Sequence, residues 1–173
     1  MLSLQTATNA FDETYFTNIN GSAFESLRAS SYFREHFQAD LNAADTLYLL
    51  LGTDSGFLPI YLENHMPNRR IIWIEHPQVL AALPELPPHH WSQFDATALE
   101  TQLNASPEHL KVVLIPSVAV AEKTAETAYL DFFDQVDAAY SQWRNHQNRL
   151  TNQAFFSNVF CSTWPIASTL SPA

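Results

Sequence analysis

Hydrophobic positions change their spacing along the chain, and that change predicts the elements. In the first forty residues Phe11, Tyr15 and Phe16, then Phe24 and Leu27, then Phe33 and Phe37 recur at intervals of three and four. This spacing predicts helical and irregular structure, with Asn20-Gly21-Ser22 as a turn. From Leu47 to Leu51 the pattern becomes a continuous apolar run, stopped by Gly52. Runs without alternation suit strands buried on both faces, as in parallel sheets. Phe57 to His65 reads as a helix, in which Pro59 is tolerated near the start. Ile71-Ile72-Trp73-Ile74 is a β-branched and aromatic strand stopped by Glu75-His76-Pro77. Gln78 to Leu83 reads as a short helix, Trp91 to Phe94 as a weak strand ending at Asp95, and Ala98 to Leu103 as a helix. Val112 to Ile115 is another buried strand, closed by Pro116.

Strands and helices therefore alternate over residues 45–120. That order predicts an open, parallel, Rossmann-like α/β sheet with flanking helices. A helical segment, 1–44, precedes it. A long helical segment, 121–173, follows it, because no proline or glycine occurs from Ala121 to Asn158. Tyr129, Phe133, Val136, Tyr140, Trp143, Leu150 and Ala154 form a stripe along that segment. A second set, Phe132, Phe155, Phe156, Val159, Phe160 and Trp164, is more apolar than a solvent face requires. It serves either to cover the sheet or to dock a partner domain or protein.

Composition narrows the functions. Charged residues are only 15 %, and 18 acids against 8 Lys+Arg give a formal charge of −10. An acidic chain is a poor match for nucleic acid or anionic membrane. No apolar run has membrane-spanning length, and the N-terminus lacks a signal-peptide pattern, so a cytoplasmic protein is expected. The single Cys161 excludes an internal disulfide and a cysteine-rich zinc site. Seven histidines are scattered without metal-ligand spacing, so no metal site is expected. Neither a P-loop nor a G-x-S-x-G nucleophile motif occurs, and no catalytic residue is assigned.

Glycine is scarce, with only three in the chain, and two of them bracket Gly52-Thr53-Asp54-Ser55-Gly56. This loop follows the first predicted strand, where an open α/β sheet presents its ligand crevice. Glycine permits positive φ and close approach, and a helix start can hold an anion. Glu75 ends the next strand, where dinucleotide- and S-adenosylmethionine-binding folds place a ribose-binding acid, and Asp95 ends the third. Gly52, Thr53, Asp54, Ser55, Gly56, Glu75 and Asp95 are thus the candidate cofactor-binding residues, for S-adenosylmethionine or a nucleotide. Against this, Asp54 repels phosphate, and the same loop also reads as a plain strand-to-helix turn capped by Asp54 or Ser55.

Leu47 to Phe57, followed by Ile71-Ile72-Trp73-Ile74-Glu75-His76, resembles the N-terminal domain of the motility-associated-factor (Maf) glycosyltransferases. Those proteins place a Gly-x-Gly-x-Gly-aromatic turn after a strand and end the next strand in Glu-Pro or a near variant. Asn148 to Asn158 and Phe160 to Ala173 resemble the connection into the family's central catalytic domain. Family members are cytoplasmic bacterial enzymes that attach nonulosonic acids to serine or threonine of flagellin. The resemblance implies an accessory N-terminal domain, itself non-catalytic, whose partners are a downstream catalytic domain and flagellin. The family's middle glycine is Asp54 here, and its central-domain motif would begin after Ala173. Two other functions compete: a small transferase with a Rossmann-type cleft, and a protein-interaction domain.

Overall fold

The computed structural model describes residues 2–91, 96–105 and 110–162. Its centre is a four-stranded parallel sheet made of β3 (Thr46–Leu51), β4 (Arg70–Ile74), β5 (His90–Trp91) and β6 (Lys111–Pro116). The spatial order is β5-β4-β3-β6. Between these strands run α3 (Phe57–His65), α4 (Pro77–Ala82) and α5 (Ala96–Asn104). The alternation predicted over residues 45–120 is therefore present, and the fold is Rossmann-like.

The apolar runs are continuous because helices cover both faces of the sheet. Leu49, Leu51, Ile72, Ile74, Val112 and Leu114 point to one side. They meet α4, α5 and α7 (Thr127–Ser162) through Val79, Leu99, Tyr129, Phe133 and Val136. Tyr48, Leu50, Ile71, Trp73, Val113 and Ile115 point to the other side. There they meet α2 (Ala29–His36) and α3 through Tyr32, Phe33, Leu58 and Leu62. Phe24 centres that second core, edge-on to Tyr15, Tyr32, Phe33 and Phe57.

The segment before β3 contains α2 and the short α1 (Thr17–Asn20), and it also contains a hairpin that the helix-like spacing did not predict. Strand β1 (Thr6–Thr8) pairs antiparallel with β2 (Thr14–Phe16). Asn9 builds the turn, its Oδ1 accepting the amides of Phe11 and Glu13 at 2.9 and 3.0 Å. Asp12 takes the left-handed conformation there, at φ 62°. Phe11, Tyr15 and Phe16 thus share a spacing of four and one without sharing a helix.

Residues 122–126 separate the short α6 (Val118–Ala121) from α7, which is one helix of 36 residues. Tyr129, Phe133, Val136 and Tyr140 are buried and Trp143 is half-buried, so this part of the stripe is core. Farther along, Leu150 is 46 % exposed, and the stripe has left the sheet. The side chains of Ala154, Phe155, Phe156, Val159, Phe160 and Cys161, and all of Trp164, lie outside the described residues. Among the described residues no helix is long and apolar enough to cross a membrane.

Candidate functional site

The loop from Gly52 to Gly56 and the acid Glu75 meet at the carboxyl edge of the sheet, as their order predicts. Strands β3 and β4 are parallel neighbours with Leu51 opposite Ile74, which brings the two turns together. The backbone of the loop is left-handed at Gly52 (φ 86°), Asp54 (48°), Ser55 (61°) and Gly56 (88°). Glycine is required at the first and last of these positions for its φ and for its surroundings. A Cβ on Gly52 would stand 2.7 Å from Ser117 Oγ and 3.0 Å from the Tyr129 hydroxyl. A Cβ on Gly56 would stand 2.9 Å from a Leu83 methyl. The close approach that glycine permits is made by the chain itself.

The two carboxylates are turned inward. Asp54 is wholly buried and receives the amides of Val118 and Ala119, at 2.9 and 3.0 Å, and the Asn20 side-chain amide at 3.2 Å. It thereby caps α6 from across the fold, because the N-cap residue Ser117 makes no such bond. The Ser117 hydroxyl faces Asp54 and favours its charge, but it lacks a well-formed hydrogen bond. Burial nevertheless raises the pKa of Asp54, and the donors only partly offset it. Ser55 completes this knot. Its hydroxyl donates to Asn20 Oδ1 and accepts the Phe16 amide at 2.9 Å.

Glu75 is 1 % exposed. Its Oε2 accepts the Thr53 amide and hydroxyl, both at 2.7 Å, and the Tyr129 hydroxyl at 3.1 Å. Its Oε1 accepts the His76 amide at 2.7 Å. Desolvation outweighs these donors and pushes the carboxyl up to about 7. The Tyr129 hydroxyl is pushed well above its ordinary value, first by burial and then by the facing Glu75 and Asp54. His76 caps α4 through Nδ1, which accepts the Gln78 amide at 3.2 Å, and burial lowers its pKa.

A phosphate at this edge would need free amides. The Gly56, Phe57 and Leu58 amides donate to the carbonyls of Thr53 and Asp54, and Pro59 has none. Gly52 donates to Ile74 and Thr53 to Glu75. Of the loop, Ser55 and Gly56 border an opening of about 290 Å³ together with Phe57, Ile60, Glu63 and Glu85. Its acids disfavour an anion. Asp95, the remaining candidate, lies outside the described residues.

The structure thus brings Thr53, Asp54, Ser55 and Glu75 together with Asn20, Ser117 and Tyr129, residues that the sequence pattern did not single out for the site. Asn20 appeared only as part of a turn and Tyr129 only as one aromatic of a stripe. Their polar tips beside the loop come from contacts 34 and 54 residues apart in sequence. Among the described residues no group of three or more His, Cys, Asp or Glu could hold a metal ion. Comparison with known proteins finds no family model, no curated protein and no solved structure that matches the chain.

Proposed function

We propose that this chain is an accessory domain of a Maf-like protein that glycosylates flagellin with nonulosonic acids. It acts as a structural or acceptor-recognition unit and performs no chemistry of its own. The observation that carries this reading is the engagement of the two carboxylates at the loop. Both oxygens of Glu75 and both of Asp54 are engaged by the chain's own donors, so the polar groups of a Rossmann crevice serve here to join elements. The resemblance over Leu47–Phe57 and Ile71–His76 supplies the family. Helix α7, whose stripe continues past the sheet to the exposed Leu150, supplies a surface for a downstream domain or protein partner.

Deleting residues 1–173 from the native gene tests the proposal, with flagellin glycosylation as the readout. Glycosylation is lost if the domain supports or recognises the acceptor, and undiminished glycosylation contradicts it. The competing reading, a small transferase using S-adenosylmethionine or a nucleotide, draws on the adjacency of Gly52 and Glu75 at parallel strand ends. Thermal denaturation with S-adenosylmethionine, NAD or a nucleotide sugar at about 1 mM separates the two, since a ligand selective for the folded state raises Tm. The accessory role predicts no rise at the loop site. A rise abolished by Glu75→Ala would favour the transferase.

A further inference from the structure

The opposite, amino-terminal edge of the sheet carries an opening of about 510 Å³. That is within the size range of small-molecule sites, roughly 300–1,000 Å³. Arg69, Arg70, His89, His90, Ile72 and Trp91 line it, and among the described residues no carboxylate does. In a chain with only 8 Lys+Arg and a charge of −10, two adjacent arginines facing two adjacent histidines are a marked local reversal of sign.

The parallel register explains the gathering. Arg70 opens β4, and His90 pairs with Trp73 three residues farther along, so the two dipeptides bracket the stretch of β4 that β5 leaves unpaired. Neither arginine forms an ion pair among the described residues. Arg69 is steadied by one bond from Nη2 to Asn42 Oδ1 at 3.0 Å, and its Nε is buried without a partner. His90 is fixed by donation from Nδ1 to the Pro87 carbonyl at 2.7 Å. His89 stands in the left-handed region, at φ 51°, while its carbonyl accepts the Trp73 amide at 3.1 Å. Trp91 is half-buried and offers a flat surface beside the cations.

We propose that this opening is a binding site for a small organic phosphate bearing a planar ring. The arginines take the phosphate, since their guanidinium forks match its oxygens, and the ring lies against Trp91 and Ile72. The net negative charge disfavours a long polyanion, so the ligand is a mononucleotide-sized molecule rather than a nucleic acid. This site stands apart from the proposed accessory role and does not depend on it.

Isothermal titration of the full chain with AMP, inorganic phosphate and adenosine tests the assignment. AMP should bind saturably, phosphate at least about tenfold more weakly, and adenosine with no measurable heat up to about 5 mM. Arg70 is exposed, so Arg70→Gln leaves the core intact and should weaken AMP at least about tenfold. Arg70→Lys keeps the charge without the fork and should retain part of the affinity. Lys111→Gln, at a different strand of the same edge, should change binding by less than about twofold. Absence of saturable AMP binding, adenosine equal to AMP, or unchanged affinity in Arg70→Gln would each overturn the proposal.

Discussion

Replacing Glu75 by glutamine should reverse sign with pH. The carboxyl has an unfolded value near 4.5 and a folded value of about 7. Below the lower value both states hold the proton. Between the two values the unfolded chain has lost it while the folded chain keeps it, so each rise in pH favours unfolding. Above the higher value both are ionised and the loss is complete. Glu75 is fully buried, and the difference corresponds to about 3 kcal/mol of stability present below pH 4.5 and gone above pH 7. Asp54, also raised, slopes in the same direction, so the wild-type curve alone does not isolate Glu75.

The variant isolates it. A glutamine oxygen can stand in for Oε2, keeping the Thr53 and Tyr129 donors. Its NH2 then meets the His76 amide that Oε1 now accepts. Two facing donors cost about 1–3 kcal/mol. At pH 4.5 Glu75→Gln should therefore be less stable than wild type by about that amount. At pH 8 the ionisation cost of wild type has grown to offset it, and the variant should equal wild type or exceed it by up to about 2 kcal/mol. Urea denaturation from pH 4.5 to 8 measures both curves. If their separation stays constant across the range, Glu75 does not titrate in the folded interior and the reasoning is wrong.

Gly52→Ala forces a Cβ into a left-handed turn against Ser117 and Tyr129, and should cost about 2–3 kcal/mol in urea denaturation. Asp54→Asn leaves one of the Val118 and Ala119 amides facing an NH2, and should lower stability by about 1–3 kcal/mol at pH 7. Leu150→Ser, on the exposed stretch of α7, should change monomer stability by less than about 0.5 kcal/mol; a larger loss would mean the stripe is covered there.

The sheet was legible because its strands obey one rule. Leu47–Leu51, Ile71–Ile74 and Val112–Ile115 are apolar without alternation, and the structure covers both faces of each. The hairpin was not legible, since β1 and β2 have three residues each and Tyr15 of β2 follows the turn residue Phe11 at a helical interval by coincidence. The signal was the Asn9-Ala10-Phe11-Asp12 turn flanked by threonines. At the candidate site, glycine marked the backbone's need for positive φ and for close approach. It could not say what approaches. That role falls to Ser117 and Tyr129, more than sixty residues later in the chain. Likewise Glu75 at a strand end announces a buried or ligand-facing acid. Only the tertiary placement of Tyr129 distinguishes the two.

Amide hydrogen exchange followed by NMR, at Thr53, Val118 and Ala119, asks most directly whether the carboxyl edge is closed by the protein's own groups. The account predicts protection close to that of the central strand β3, and resonances that do not move when S-adenosylmethionine or NAD is added. Rapid exchange of these three amides, or ligand-induced shifts confined to residues 52–56 and Glu75, would contradict it.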